Sequence, residues 1–568
     1  MKPGKAAPEP APAENRARER GIRLGLCAAM SLWVFAFAPH PQVIATLPGL
    51  VAGLALVERC KTTKQTLLWV AGFAAVAIGF GYRWIGETAR TFGELDTRLG
   101  SFGGVAASWV ILGAYGIAGT VHGLLFAVLH RATIGPTARP HPAITAALFV
   151  ACELLPVRFL PWMAGYGAAE TPWIRQVAQW GGVPFVSFTL LCLTIPVHEL
   201  LRARFAKTGA PARKKAAIAT LCIGIALTAA GAVSYMVVRS DETDAASAGV
   251  PHVRIGVVQS NVGAERKRDG DRNRGAAAMQ SAARYRKGSE KAIAQGAEIV
   301  VWPETAVNVA MAILDPKTGA PRPPAEVTAE LRRAHVGFLE TLGRDRPFLL
   351  GAYLDEAGPG GGTLRYNAAA LREAGGEAWG VYRKVRLIPF GESMPLSGLF
   401  PALKGVLPQG FEMTAGTLPQ PPLRTKTKGL SIATFICYED ILPDDVRAIA
   451  GDERPNLLVN LSNDSWFGDS WEPWQHHHFA RFRAVEHGVP LVRATNTGVS
   501  SFVTPAGDVT ALLAVGVEDV LVQDVPLVPR ARTLYASTGG LQRWGWWLAG
   551  VVGFVLARRR AKRAPAAA

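Results

Sequence analysis

The sequence predicts a multi-pass α-helical membrane protein with one α/β domain inserted before its last span. Three observations carry this. The 568 residues are 49% hydrophobic, with a mean hydropathy of +0.17 that is high for a water-soluble chain. Apolar runs crowd the part before residue 240 and return once near the carboxyl end. Between them, over 250–530, short β-rich runs alternate with helical stretches.

Taken in order, residues 1–20 are Ala, Pro and charge, too poor in apolar groups to pack, and read as a disordered tail. Seven apolar runs follow, at 22–38, 42–57, 66–85, 103–130, 141–156, 181–203 and 215–238, which places seven transmembrane helices within 21–239. Several approach the roughly 20 residues that a helix needs to cross a bilayer, the second and fifth being shorter. An eighth run, 543–557, is also short; it predicts a last span over 541–558 and a basic tail over 559–568. The first run ends in Ala36-Phe37-Ala38, like a cleaved signal, but Pro39 directly after it argues for retention.

Charge sets the orientation. With the amino terminus in the cytoplasm, inner loops and tails collect 22 Lys and Arg, while short outer loops hold only Arg83, Arg90, Arg98, Arg158 and Arg175. This asymmetry predicts both termini inside and residues 250–530 facing outward. The net charge of +17 lies in the same clusters beside apolar runs. It forms no basic stripe interleaved with aromatics, which argues against nucleic acid as a partner. Within the spans the charges are few, Glu153 and, near an end, His198 and Glu199, so a transport path has little support. Cys27, Cys60, Cys152, Cys192 and Cys222 fall in or beside apolar runs. Cys437 alone belongs to the outward segment, without an intramolecular disulfide partner there, and is either a core thiol or a nucleophile.

Within 250–530, β-rich runs at 253–258, 298–302, 348–353, 367–371, 378–382, 430–436, 456–460, 491–494 and 500–503 alternate with helices such as 276–294, 325–343 and 473–487. That order is the mark of a layered α/β domain. No internal repeat, phosphate-binding glycine loop or zinc spacing occurs. Three stretches end a strand on an ionisable residue: Val300-Val301-Trp302-Pro303-Glu304, Tyr382-Arg383-Lys384 and Phe435-Ile436-Cys437-Tyr438-Glu439. A thiol needs a base to become the attacking thiolate, and the oxyanion its attack creates needs a cation or N–H groups. A Glu, a Lys and a Cys divide that work. Cys437 also falls where a strand gives way to a helix, a position that favours the thiolate. Taken singly, each has a plain structural reading: a core thiol, a helix-capping glutamate, a solvated lysine among Arg383 and Arg386. Together they favour chemistry.

These stretches resemble the Glu-Lys-Cys signature of the nitrilase superfamily. The longer strings Val301-Trp302-Pro303-Glu304, Tyr382-Arg383-Lys384 with Leu387-Ile388-Pro389-Phe390-Gly391-Glu392, and Asn463-Asp464-Ser465-Trp466-Phe467-Gly468 resemble the apolipoprotein N-acyltransferase family in particular. Gln475-His476 and Arg493-Ala494-Thr495-Asn496-Thr497-Gly498 add to the match. The resemblance covers nearly all of the chain except the amino-terminal tail. It implies a nitrilase-like αββα sandwich over 250–530 in the periplasm, on an eight-span framework in a Gram-negative inner membrane. It implies Glu304 as general base, Lys384 as the cation at the oxyanion and Cys437 as nucleophile, with Glu392, Tyr438 and Glu439 in support. The implied reaction is ping-pong. An acyl chain passes from a glycerophospholipid to the cysteine, then to the α-amine of a diacylglyceryl-cysteine on an apolipoprotein. No metal or dissociable cofactor is implied, and a monomer is expected.

The family has a tryptophan in the loop after the first strand of its catalytic domain, whereas 263–284 contains none and is rich in Arg, Lys and Asp, which leaves donor and acceptor preference open. The connection 387–424 carries Leu396, Leu399, Phe400, Leu403, Val406, Leu407 and Phe411. Beside a membrane such an apolar loop reads as a lid or lipid-dipping arm. Consecutive helical residues point in different directions, so His476, His477 and His478 do not read as a metal site. Trp466 and Phe467 read as packing near the cleft. Two other functions stay open: a membrane-tethered amidase in which water resolves the thioester, and a transporter or receptor scaffold with an inactive enzyme domain.

Overall fold

The computed structural model describes residues 13–32, 39–41, 43–92, 95–135, 138–155, 161–206, 211–247, 250–263, 274–311, 343–357, 363–376, 379–394, 397, 399, 413–528 and 531–563. Among the described residues, ten α-helices precede the first strand: α1 (Ala13–Met30), α2 (Val43–Arg59), α3 (Thr63–Gly81), α4 (Trp84–Phe92), α5 (Leu95–Gly119), α6 (Val121–Ala132), α7 (Pro142–Glu153), α8 (Pro172–Arg175), α9 (Ala178–Ala206) and α10 (Pro211–Ser247). The first begins inside the segment expected as a tail, since Ala, Glu and Arg favour helix even where little apolar surface is available to pack. Among the described residues, three helical stretches are long and apolar enough to cross a membrane: Leu99–Ala132, Ala178–Arg204 and Arg213–Thr243. α7 is apolar but shorter. Large apolar side chains such as Phe102, Trp109, Ile225 and Val233 are exposed on these helices, a face suited to lipid and costly in water. The small-residue end of the first apolar run, 36–38, lies outside the described residues.

Two sheets follow. The first has the order β13-β1-β2-β4-β5-β6, with β3 paired to β4. Its strands are β1 (His252–Gln259), β2 (Ile299–Val301), β3 (Val307–Met311), β4 (Phe348–Ala357), β5 (Thr363–Arg372), β6 (Trp379–Arg383) and β13 (Asp519–Pro526). The second runs β12-β11-β10-β9-β8-β7, formed by β7 (Leu423–Arg424), β8 (Ser431–Ile436), β9 (Leu457–Ser462), β10 (Leu491–Thr495), β11 (Ser500–Val503) and β12 (Val509–Leu513). Parallel ladders occupy the middle of each: Ile255 opposite Ile299 and Val300 opposite Phe348 in one, Phe435 opposite Asn460 and Val492 opposite Val459 in the other. Parallel strands bury both faces and read as continuous Val, Ile and Leu, as these do.

One apolar cluster joins the inner faces of the two sheets, with Val253, Ile255, Leu349 and Leu371 against Ile432, Phe435, Leu458 and Val492. α11 (Arg274–Ala294) covers the outside of the first sheet, where Tyr285 and Ala292 pack with Trp302 and Phe348. α12 (Pro443–Ala450) and α13 (Glu472–His487) cover the second, placing Val446, Ile449, Ala480 and Ala484 on it. The layering is helix, sheet, sheet, helix. The helix expected at 325–343 lies outside the described residues but for Gly343. β3, β7, β12 and β13 were not anticipated: all are short or lie at the sheet margins, where one face stays half-exposed and the apolar pattern is weak.

α13 joins the sandwich to the helical half. Its Phe479 stacks edge-on against Tyr166 with ring centroids 4.3 Å apart. Gln475 accepts from the Trp84 indole at 3.1 Å and donates to the Gly81 carbonyl at 2.9 Å. Glu486 accepts from the Val183 amide, and Arg481 pairs with Glu170 at 2.6 Å. α14 (Leu534–Arg563) then leads away along α7 and α9.

Candidate functional site

Three parallel or edge strands deliver the three ionisable residues to one place. Glu304 follows β2 on a turn in which Thr305 has a φ of 51°. Gly351 on the neighbouring β4 makes room for that turn, since a Cβ there would overlap the Pro303 carbonyl and the Glu304 Cα. Lys384 directly follows β6 and donates its amide to the Asn367 carbonyl on β5 at 2.8 Å. Cys437 directly follows β8 with a φ of 49°, a conformation that costs a side chain energy and recurs at functional sites.

The Lys384 ammonium is buried, 3.3 Å from Glu304 Oε1 and 2.8 Å from Glu392 Oε2. Burial works against its charge, yet Glu392, then Glu304 and Cys437, hold it ionised well above the ordinary lysine range. Asn367 completes the cluster, its amide donating to Glu304 Oε1 and Glu392 Oε1 at 2.7 Å each. Asn367 was passed over in the sequence, where it opens the run 367–371 beside no recognisable motif; the structure sets it inside β5, and its role comes from its neighbours across the sheet. Glu392 Oε2 also accepts from the Ile388 amide at 2.9 Å, which closes the turn that brings Glu392 back to Lys384.

The Cys437 thiol is pushed well above its ordinary range, first by burial and then by Glu304, with Lys384 acting in the opposite sense. It rests as a thiol beside a carboxylate and a cation, so attack requires its proton to leave as the bond forms. Ser462, at the end of β9, lies within hydrogen-bonding reach of the thiol. Glu439 fastens the Cys437 turn to the Lys384 strand. It accepts from the Ile436 amide at 2.6 Å, the Val385 amide at 2.7 Å, the Arg386 amide at 3.0 Å and the Tyr382 hydroxyl at 2.8 Å. Burial raises its carboxyl to about 7 against the pull of those amides. Tyr438 is buried in the apolar cluster shared with the helical half, beside Phe479 and Phe482.

The loop 464–468 meets the helical half: Phe467 stacks edge-on to Trp84 at 5.0 Å, and the Trp466 carbonyl accepts from Thr88. The three histidines point apart, as helical geometry requires. His476 faces Asp464, His477 faces Ser501 Oγ at 3.0 Å, and His478 reaches the Pro39 carbonyl at 2.7 Å. Among the described residues, two groups have ligand atoms close enough to hold a metal: Asp464, Glu472 and His476, and Glu58, His198 and Glu199. Neither fits one, because Arg493 pairs with Asp464 in the first, and Arg139 and Arg213 pair with the glutamates in the second. Of the apolar arm, Leu399 is described and exposed; Leu396, Phe400, Leu403, Val406, Leu407 and Phe411 lie outside the described residues. The same is true of 264–273, most of the tryptophan-free loop before α11.

Residues 254–533 match the family of carbon-nitrogen hydrolases, and residues 29–195 match the apolipoprotein N-acyltransferase N-terminal domain. The chain is similar to the apolipoprotein N-acyltransferase of Azotobacter vinelandii, 31% identical over 74% of this chain and 73% of that one. It is 29% identical to that of Pseudomonas aeruginosa over 93% of each. A shorter match to that of Rhodopseudomonas palustris, 39% identical, spans 32% of this chain and 33% of the relative.

Proposed function

This chain belongs to the apolipoprotein N-acyltransferase family, and from that premise we propose that Cys437 carries an acyl chain as a thioester between a phospholipid and a lipoprotein amine. N-acylation of lipoproteins is the family's activity by name. The observation that carries the assignment to residues is the Lys384 ammonium, buried between Glu304 and Glu392 at the mouth of the turn that bears Cys437.

In the first half-reaction, Glu304 takes the thiol proton as Sγ attacks the ester carbonyl of a glycerophospholipid. Lys384 stabilises the oxyanion. The carbon–oxygen bond to glycerol breaks, and the leaving oxygen takes the proton from Glu304 to give a lysophospholipid. In the second, the α-amine of a diacylglyceryl-cysteine attacks the thioester, a carbon–nitrogen bond forms, the carbon–sulfur bond breaks, and the amine proton returns the thiol by way of Glu304. Asn367 and Glu392 hold Glu304 and Lys384 in register, and Glu439 keeps the two strand ends together.

The lipid substrates accord with an inner-membrane protein of eight spans. The proposed arrangement has seven helices within 21–239, the catalytic domain over 250–530 in the periplasm, a last span over 541–558 and both termini in the cytoplasm. The charge asymmetry of the loops supports it. The arm over 387–424 then lies at the membrane surface, and alanine at Phe400 and Phe411 slows acylation from vesicles more than from a short soluble ester.

Intact mass spectrometry after incubation with phospholipid tests the central claim. The expected result is one added acyl chain, labile to hydroxylamine, absent from Cys437→Ala, and discharged by a diacylated lipopeptide. Discharge to water at the same rate without lipopeptide would establish a hydrolase instead.

A further inference from the structure

Behind the Cys437 turn, four buried side chains form a closed ring of alternating charge. Arg493 pairs with Asp440 at 2.6 Å and with Asp464 at 3.1 Å. On the opposite side, His476 lies 2.7 Å from Asp440 through Nε2 and 3.3 Å from Asp464 through Nδ1. Glu472, one turn earlier on α13, stands 3.5 Å from Nδ1. The ring touches Cys437 at two points. His476 Nε2 is 3.3 Å from the Cys437 carbonyl oxygen, and the Ser462 hydroxyl donates to Asp464 at 2.6 Å while lying within reach of the thiol.

A neutral imidazole has one N–H and can serve either the Cys437 carbonyl through Nε2 or Asp464 through Nδ1; the imidazolium has two and serves both, with Asp440 beside Nε2 as an ion-pair partner. The two aspartates favour that doubly protonated form, outweighing burial and the nearby Arg493. The left-handed backbone of Cys437 needs such a fixture, because a non-glycine residue keeps a positive φ only where its surroundings impose it.

We propose that His476 is a positioning residue for the nucleophile: its imidazolium holds the Cys437 carbonyl directly and sets the thiol through Asp464 and Ser462. The proposal rests on Cys437 being the acylated residue. The groups facing His476 are Asp440 on the Cys437 turn, Asp464 after β9, Arg493 on β10 and Glu472 on its own helix; those facing the thiol are Glu304, Lys384, Asp464 and Ser462. The ring also lies one residue from Gln475, which bonds the Trp84 indole, so the fixture for the nucleophile is anchored on the helical half.

The test compares His476→Asn, His476→Gln and Ser462→Ala with wild type in the full-length, detergent-purified protein. The readouts are the single-turnover rate of acyl-enzyme formation by intact mass, the pH profile of Cys437 alkylation by iodoacetamide, and the melting temperature. Gln places its amide where Nε2 stands and retains the Cys437 contact; Asn does not reach it. His476→Asn should slow acylation roughly 100-fold, the usual cost of a nucleophile displaced by about 1 Å, with a displaced alkylation profile, and His476→Gln should restore most of the rate. Ser462→Ala should slow acylation about tenfold per folded molecule while lowering the melting temperature by only a few degrees, the loss of one buried donor to Asp464, and it decides the matter alone if the histidine variants do not fold. Wild-type rates per folded molecule and an unmoved alkylation profile in the variants that fold would overturn the proposal while leaving Cys437 as nucleophile. A wild-type protein that never acylates removes both.

Discussion

Replacing Lys384 with Met keeps the length of the side chain and deletes its charge, and the structure states what must follow. Glu304 Oε1 and Glu392 Oε1 each lie 2.7 Å from the Asn367 amide nitrogen, so they are no more than twice that distance apart. Two carboxylates about 5 Å apart repel by about 3 kcal/mol at an effective dielectric constant near 20. With the ammonium gone, that repulsion is unopposed and favours a proton shared between the two carboxyls, which competes with transfer of the thiol proton to Glu304. The oxyanion also loses its cation, a separate loss of about 10²–10³ in rate. Acyl-enzyme formation by Lys384→Met should therefore fall by at least about 10²-fold at pH 7, and its alkaline onset should move up. The assay is single-turnover acylation from phospholipid, read by intact mass between pH 6 and 9. A rate within tenfold of wild type, or a large loss with an unmoved pH onset, would refute the electrostatic reasoning.

Glu439→Ala leaves three amides and the Tyr382 hydroxyl without their acceptor. The expected cost is about 3–5 kcal/mol, seen as a lower melting temperature together with lost acylation. Gly498→Ala drives a methyl group into the Asp464 carboxylate and should damage the same site from the other side, measured as a melting temperature lowered by several degrees. The pH dependence has a definite sign. His476 is raised from 6.5 to about 10 in the fold, so its contribution to stability is full below pH 6.5 and is lost as pH climbs through about 10. Melting temperatures at pH 6.5, 8 and 10 should decline in that order, and a flat profile over this range would count against a charged His476.

Much of this site was legible because the chemistry stands at strand ends. Val300-Val301-Trp302 and residues 430–436 are β-rich, largely apolar runs that read as buried strands, with Glu304 two residues after the first and Cys437 directly after the second. The partners of those residues were not legible. Asn367 reads as one polar residue inside a strand, and only the pairing of β5 with β4 and β6 sets it beside Glu304 and Lys384. Arg493 stood within a recognised string, yet nothing local assigns it to Asp440 and Asp464, 53 and 29 residues away. Gln475 finds Trp84 across 391 residues.

By itself, the sequence determined the alternation of apolar runs and loops, the periodicities of strand and helix, and which ionisable residues stand at the end of a strand. Those are properties of spacing along the chain, where neighbours in sequence are neighbours in space. Only the tertiary structure decided which buried cation neutralises which carboxylate, why Cys437 is held at a positive φ, and how α13 fastens the sandwich to the helical half. Those depend on burial: inside the protein an unpaired charge costs several kcal/mol, so buried charges such as Lys384 and Arg493 pair wherever packing puts a partner, at whatever distance along the chain.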